Sequence, residues 1–213
     1  MKRCLHNLTS RALILISATV LFTCLYATHG QSKEYFRFVH VGNEKNTPIG
    51  WTQFCGTYNS ECNTKPVEPR DVVLDNKTSK FLLGINKWAN DNIKPITDMD
   101  HYGMVQWWRY PDDGAGACHS YALLKRRMLI NAGWPRTALL MTIVHEANGE
   151  GHAVLTVKTD RGEYILDNLN DRILLWSETP YHYYKRQSQS DPNVWVSLDD
   201  SRDGAAITTS SLR

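Results

Sequence analysis

Neither sign of charge dominates this chain. Its 213 residues carry 24 Lys and Arg against 22 Asp and Glu, a formal net charge of +2, and the two signs are interspersed. Binding to nucleic acid calls for a clustered cationic face, so that class of function is set aside. Long apolar runs are scarce as well. The run ALILISATVLFTCLYA, Ala12 to Ala27, falls short of the roughly 20 residues that cross a bilayer as a helix. Cysteine is sparse, with five in all, and neither Cys nor His falls at the tight spacing of a zinc site.

What the composition supplies is 42% hydrophobic residues, enough for one compact domain with its own core. Lys2, Arg3 and Arg11 before the apolar run, and Thr28, His29, Gly30 and Gln31 after it, follow the basic, apolar, small order of a secretory signal. Residues 1–30 are therefore expected to be a signal peptide cleaved between about Ala27 and Gln31, with a retained anchor as the alternative. Phe22 and Thr23 ahead of Cys24 argue against lipoprotein processing. Residues 31–198 are expected to form a single domain and 199–213 a polar tail. The expected location is the periplasm or the medium. Removing the signal leaves Cys55, Cys62 and Cys118, and an oxidising compartment pairs two of them. Cys55 and Cys62 share the short segment FCGTYNSEC, so a disulfide between them is the economical choice and Cys118 is the free thiol.

Gln31 to Asp75 is rich in Gly, Asn, Thr and Pro without periodicity and reads as mostly loop, tethered by Trp51 and Phe54. Phe81, Leu82, Ile85, Trp88 and Ala89 are spaced as on one helix from Ser79, its cap, to Ile93, with Pro95 beyond the end. Cys118 to Asn131 reads as a second helix, with Gly133 at its C-cap. The period then changes to that of strands: Thr137–His145, His152–Lys158 and Glu163–Leu169 form an antiparallel meander. Ile173–Trp176 and Val194–Leu198 are expected to add edge strands.

The stretch GAGACHSYALLKRR, Gly114 to Arg127, sets Cys118 at the start of a helix after a glycine-rich loop. Unpaired N–H groups and the positive end of the helix dipole favour a thiolate there. A buried inert thiol is the alternative. A nucleophile needs a base and an orienting group. If the turn at Asp160 and Arg161 pairs Thr159 with Gly162, the same register sets His152 across from Leu169. Asp167 then shares the face of His152 as its diagonal neighbour, about 7–8 Å away between backbones and reachable by side chains. Each residue alone has an ordinary explanation, an exposed histidine or a turn-capping carboxylate; together they form a Cys118, His152, Asp167 triad. His145 is a second candidate base, and His119 should point to another helix face. No metal and no cofactor are expected.

GACHSYALLKRRMLINAGWP followed by GHAVLTVKTDRGEYILDNLND, together with FCGTYNSEC and YGMVQWWRYPDD, resembles the bacterial transglutaminase-like cysteine proteinase family from about Trp51 to Trp195. The resemblance implies an α+β, papain-like or transglutaminase-like fold in which the helix bearing Cys118 packs on an antiparallel sheet. It implies Cys118 as nucleophile, His152 as general base and Asp167 as orienting carboxylate. Related members are exported, and some act on large cell-surface adhesins. Relatives with Asp-Cys-Glu-Asp at the nucleophile use the flanking acids for calcium; here Ala117 and His119 replace them, with Ser120 after. The expected activity is that of an exported cysteine-dependent amide hydrolase, a peptidase acting through a thioester on a protein or peptide substrate, a cell-surface protein included. A transglutaminase-like acyl transferase and a non-catalytic binding module of the same fold are the alternatives.

Overall fold

The computed structural model describes residues 36–200. The expected signal segment and residues 201–213 lie outside them. In chain order the elements are β1 (His40–Lys45), α1 (Ile49–Thr57), α2 (Asn59–Cys62), α3 (Asn76–Asn92), β2 (Lys94–Pro95), α4 (Asp98–Tyr102), β3 (Ala115–Gly116) and α5 (Cys118–Asn131). A 3-10 turn at Arg136–Ala138 leads into β4 (Leu139–His145), β5 (Gly151–Thr159), β6 (Gly162–Leu166) and β7 (Leu174–Leu175). Another at Trp176–Glu178 precedes β8 (His182–Gln187) and β9 (Trp195–Asp199). The architecture is α+β. Seven strands form one antiparallel sheet in the order β1-β9-β8-β4-β5-β6-β7, and β2 and β3 form a separate parallel pair.

The sheet is buried on both faces, which is why β4 and β5 read as near-continuous apolar runs. Leu139, Met141, Leu155, Val157 and Leu166 join Ala122, Leu123 and Leu129 of α5 in the main core. The alternate residues Val144, Val154 and Ile165 pack with Trp176, Tyr181 and Tyr183 on the opposite face, the period of two expected of strands. Helix α5 is covered on its other side too, where Tyr121 and Leu124 meet Ala89 and Ile93. This double burial is what fixes the helix that carries Cys118.

Several expectations are corrected. Helix α3 starts three residues earlier than Ser79, because Asp75 is the cap: its Oδ1 accepts the N–H groups of Lys77 and Thr78, both at 2.8 Å. The described part of the region to Asp75 is about half loop and more ordered than expected. It contains β1 and two helices joined by the Cys55–Cys62 disulfide, with Cα atoms 5.5 Å apart. Gly50 and Gly56 lower the helix propensity of α1; packing of Trp51 and Phe54 in the core compensates. The β5–β6 register runs from Thr159↔Gly162, as expected, but ends at Leu155↔Leu166, so Asp167 lies just past the strand. Strand β8 (HYYKRQ) is not among the expected strands, its residues being polar; Arg186 and Gln187 are nevertheless buried, the Arg186 guanidinium donating to Glu163 Oε2 at 2.5 Å and Gln187 Oε1 accepting the Met141 N–H at 2.9 Å.

Candidate active site

Cys118 is the first residue of α5, and the residue before it, Ala117, is extended and supplies no side-chain cap. The first N–H groups of a helix have no α-helical partner within it; the Ser120 N–H donates to the Ala117 carbonyl at 2.9 Å, and with no side-chain cap those of Cys118 and His119 remain beside the sulfur. The approach to the helix is pinned by β2 and β3. Pro95 pairs with Gly116, and the Ile96 N–H donates to the Gly116 carbonyl at 3.2 Å. Gly116 leaves no room for a side chain, because a Cβ there would fall 2.5 Å from Ser120 Cβ.

Near the start of β5, His152 is buried, and its Nε2 lies 2.8 Å from Asp167 Oδ1. That leaves Nδ1 as the ring nitrogen free to serve a thiol. Asp167 is itself fixed: Oδ1 also accepts the Leu169 N–H at 3.1 Å, and Oδ2 accepts the Tyr181 hydroxyl. From α3, the Asn90 amide donates to the Asp167 backbone carbonyl at 3.0 Å and accepts from buried Lys125 of α5 at 2.7 Å. Helix and carboxylate are thereby tied together. The three residues expected from the sequence converge although the strand carrying Asp167 ends early. His145 is not with them; it pairs with Gly151 and His182 and packs its ring on Tyr184 at 5.4 Å.

His119 departs from expectation. Instead of pointing away on another helix face, its ring lines the same cleft as Cys118 and lies flat on Trp108, 5.3 Å between centroids with 6° between planes. Its Nε2 is 3.3 Å from Asp98 Oδ1, and both side chains are buried. Asp98 Oδ2 accepts the Trp107 N–H at 2.7 Å. No sequence signal links residues 98 and 119; the loop between α4 and β3 brings them together.

The electrostatics follow from these contacts. Burial pushes the Cys118 thiol up, but hydrogen bonds and charge from His119 and His152 outweigh it and bring the thiol down to about 6. Burial pulls His152 down, and Asp167 and Cys118 reverse this, raising it to about 10. His119 is pulled down by burial and raised to about 9 by Asp98 and Cys118. Burial raises Asp167, and its bonds to His152 and Tyr181 bring it below the usual carboxylate range. Such an arrangement favours a thiolate beside protonated imidazole. The sulfur opens onto a cleft of about 590 Å³ lined by Ile96, Asp98, Gln106, His152, Glu146 and Leu169 among others.

The residues around Cys118 do not fit a calcium ion. Calcium takes six to eight oxygen ligands, whereas the flanking positions hold Ala117 and an imidazole. The oxygens of Asp98 already face His119 and Trp107. Asp112 is engaged by Arg127 and Asp113 by His101, each at 2.8 Å.

Comparison with known proteins gives the following. The sequence matches the profile of the bacterial transglutaminase-like cysteine proteinases over residues 41–203. No curated protein sequence matches it significantly. Among solved structures, the calcium-bound form of LapG from Legionella pneumophila is 20% identical, with 72% of this chain and 81% of that one covered and a TM-score of 0.49. Another structure of Legionella pneumophila LapG is also 20% identical, covering 77% and 88% with a TM-score of 0.48. With the profile spanning most of its length, this chain belongs to the bacterial transglutaminase-like cysteine proteinase family.

Proposed function

We propose that this cysteine proteinase is exported and cleaves protein or peptide substrates through a thioester. The observation that carries the reading is the buried His152, 2.8 Å from Asp167 Oδ1 through Nε2 and lining the same cleft as the Cys118 thiol. The Cys118 thiolate forms a bond to a substrate carbonyl carbon, and the resulting oxyanion accepts from the Cys118 backbone N–H. His152 then gives its proton to the departing amine as the C–N bond breaks. In the second half, His152 takes a proton from water, the hydroxide adds to the thioester, and the C–S bond breaks to restore the thiolate. Asp167 keeps the imidazole oriented throughout. The open cleft suits an extended chain, including an exposed segment of a cell-surface protein. Export rests on the sequence pattern of the N-terminal segment.

The test is a peptide library incubated with the protein and read for new termini by mass spectrometry, alongside 4-nitrophenyl acetate as an acylating probe. We expect new termini and a transient acetyl group on Cys118, both lost in Cys118→Ala. An added amine that captures the acyl group faster than water would move the reading to acyl transfer. No termini and no acylation would favour a binding module.

A further inference from the structure

His119 is a buried titratable group that the steps above leave unused. Its ring is held on two sides, flat against Trp108 and facing Asp98 through Nε2 at 3.3 Å, and it lines the same cleft as the Cys118 sulfur and His152. Asp98 is in turn held by the Trp107 N–H. The sulfur therefore sits between two imidazole–carboxylate pairs, His152 with Asp167 and His119 with Asp98.

We propose that His119, held by Asp98, is a second imidazolium partner of the Cys118 thiolate, so that the thiolate does not depend on His152 alone. The inference rests on the reading of Cys118 as a nucleophile. The second partner acts on the free thiolate, before the C–S bond forms and again when it breaks; in between, the sulfur is uncharged and His152 gives its proton to the amine. Held charged by Asp98, His119 keeps its proton and stays positive while the oxyanion forms and the amine departs. The surrounding charges favour this. Asp98 faces His119 from α4, Asp100 and Glu146 line the same cleft, and Asp167, backed by Tyr181, lies behind His152. On α5, Lys125 is brought down to about 7 by burial and sits nearer Asp167. The raised proton affinity of His119 agrees with the geometry.

The experiment is the rate of iodoacetamide alkylation of Cys118 against pH, followed by mass spectrometry in the full chain. Wild type, His152→Ala, His119→Gln, Asp98→Asn and the His152→Ala/His119→Gln double variant are compared. The wild-type midpoint should lie well below the 8.5 or so of an ordinary thiol. His152→Ala should stay at least about one unit below that value, His119→Gln and Asp98→Asn should each move the wild-type midpoint up by about one unit, and the double variant should reach the ordinary value. Should His119→Gln fail to fold, the isosteric Asp98→Asn decides. The proposal is overturned if folded Asp98→Asn and His119→Gln keep the wild-type midpoint, or if His152→Ala alone reaches the ordinary one. A wild-type midpoint already at the ordinary value would instead sink the nucleophile itself.

Discussion

Gly50 lies directly under Trp108: a Cβ on Gly50 would fall 2.2 Å from Trp108 Cδ1. Trp108 carries the His119 ring on its face, so a glycine in the first turn of α1 supports the surroundings of Cys118 from two layers away. On an isolated helix Gly→Ala gains about 0.5–1 kcal/mol. Here Gly50→Ala should destabilise by roughly 1–3 kcal/mol through overpacking and slow Cys118 alkylation. Chemical denaturation and alkylation kinetics measure the two effects, and a stabilised variant with unchanged reactivity would break the link.

Asp167→Asn preserves the shape of the residue that holds His152 but removes its charge and allows the wrong tautomer. Peptide cleavage should fall by about 10²–10⁴-fold, mainly in kcat, with the melting temperature little changed because Tyr181 and Leu169 can still bond an amide. Near-normal kcat would show that His152 is oriented by something else.

The pH dependence has a definite sign. The folded Cys118 thiol is depressed to about 6, so its contribution to stability is complete above the ordinary thiol value of about 8.5 and is lost as pH falls through about 6. Folded His152 is raised to about 10, so its contribution is complete below its ordinary 6.5 and is lost as pH rises through about 10. The thiolate–imidazolium pair exists between the two folded values. Cleavage should rise through about 6 and fall again toward 10, and an acid limb near 8.5 would contradict the pairing.

The Cys55–Cys62 bridge closes a loop with a sequence separation of 7 and joins α1 to α2. Such a short loop stabilises by about 2–3 kcal/mol in the chain-entropy account. Replacing both cysteines by serine should lower the melting temperature by roughly 5–10 °C. Calorimetry decides, and a change under about 1 °C would mean the helices do not need the bridge.

Millimolar calcium should leave the melting temperature within about 1 °C of its value in chelator, since a ligand stabilises only as it binds the native state. The acids near the helix start are already engaged, Asp112 with Arg127 and Asp113 with His101. A rise reversed by chelation and lost in Asp112→Asn/Asp113→Asn would reveal a calcium site built from those residues.

How much of this was legible follows from where the physics is local. Helix α5 announces itself because Cys118 to Asn131 is bounded by glycine at both ends, and capping and propensity act over a few residues. The β5–β6 register was legible because a two-residue turn fixes pairing by itself, which is how His152 and Asp167 could be associated from sequence. The extent of β6 was not, since whether a strand continues past Leu166 depends on what lies beside it.

The sequence by itself determined the helix bearing Cys118, the central hairpin, the pairing that leaves Cys118 free among the described cysteines, and the family. The tertiary structure alone decided the second partner of the sulfur. His119 looked misdirected by helix spacing, but Trp108 flattens its ring and Asp98 holds it, the one arriving on the loop after α4 and the other on α4 itself, 11 and 21 residues upstream. The same holds for Arg126, which reads as a surface charge on α5 yet is buried on Trp51 and paired with Glu61 of α2 at 3.0 Å. The physical reason is common to both: a charge can be buried only where a distant segment brings its counter-charge, and no local pattern records which segment that will be.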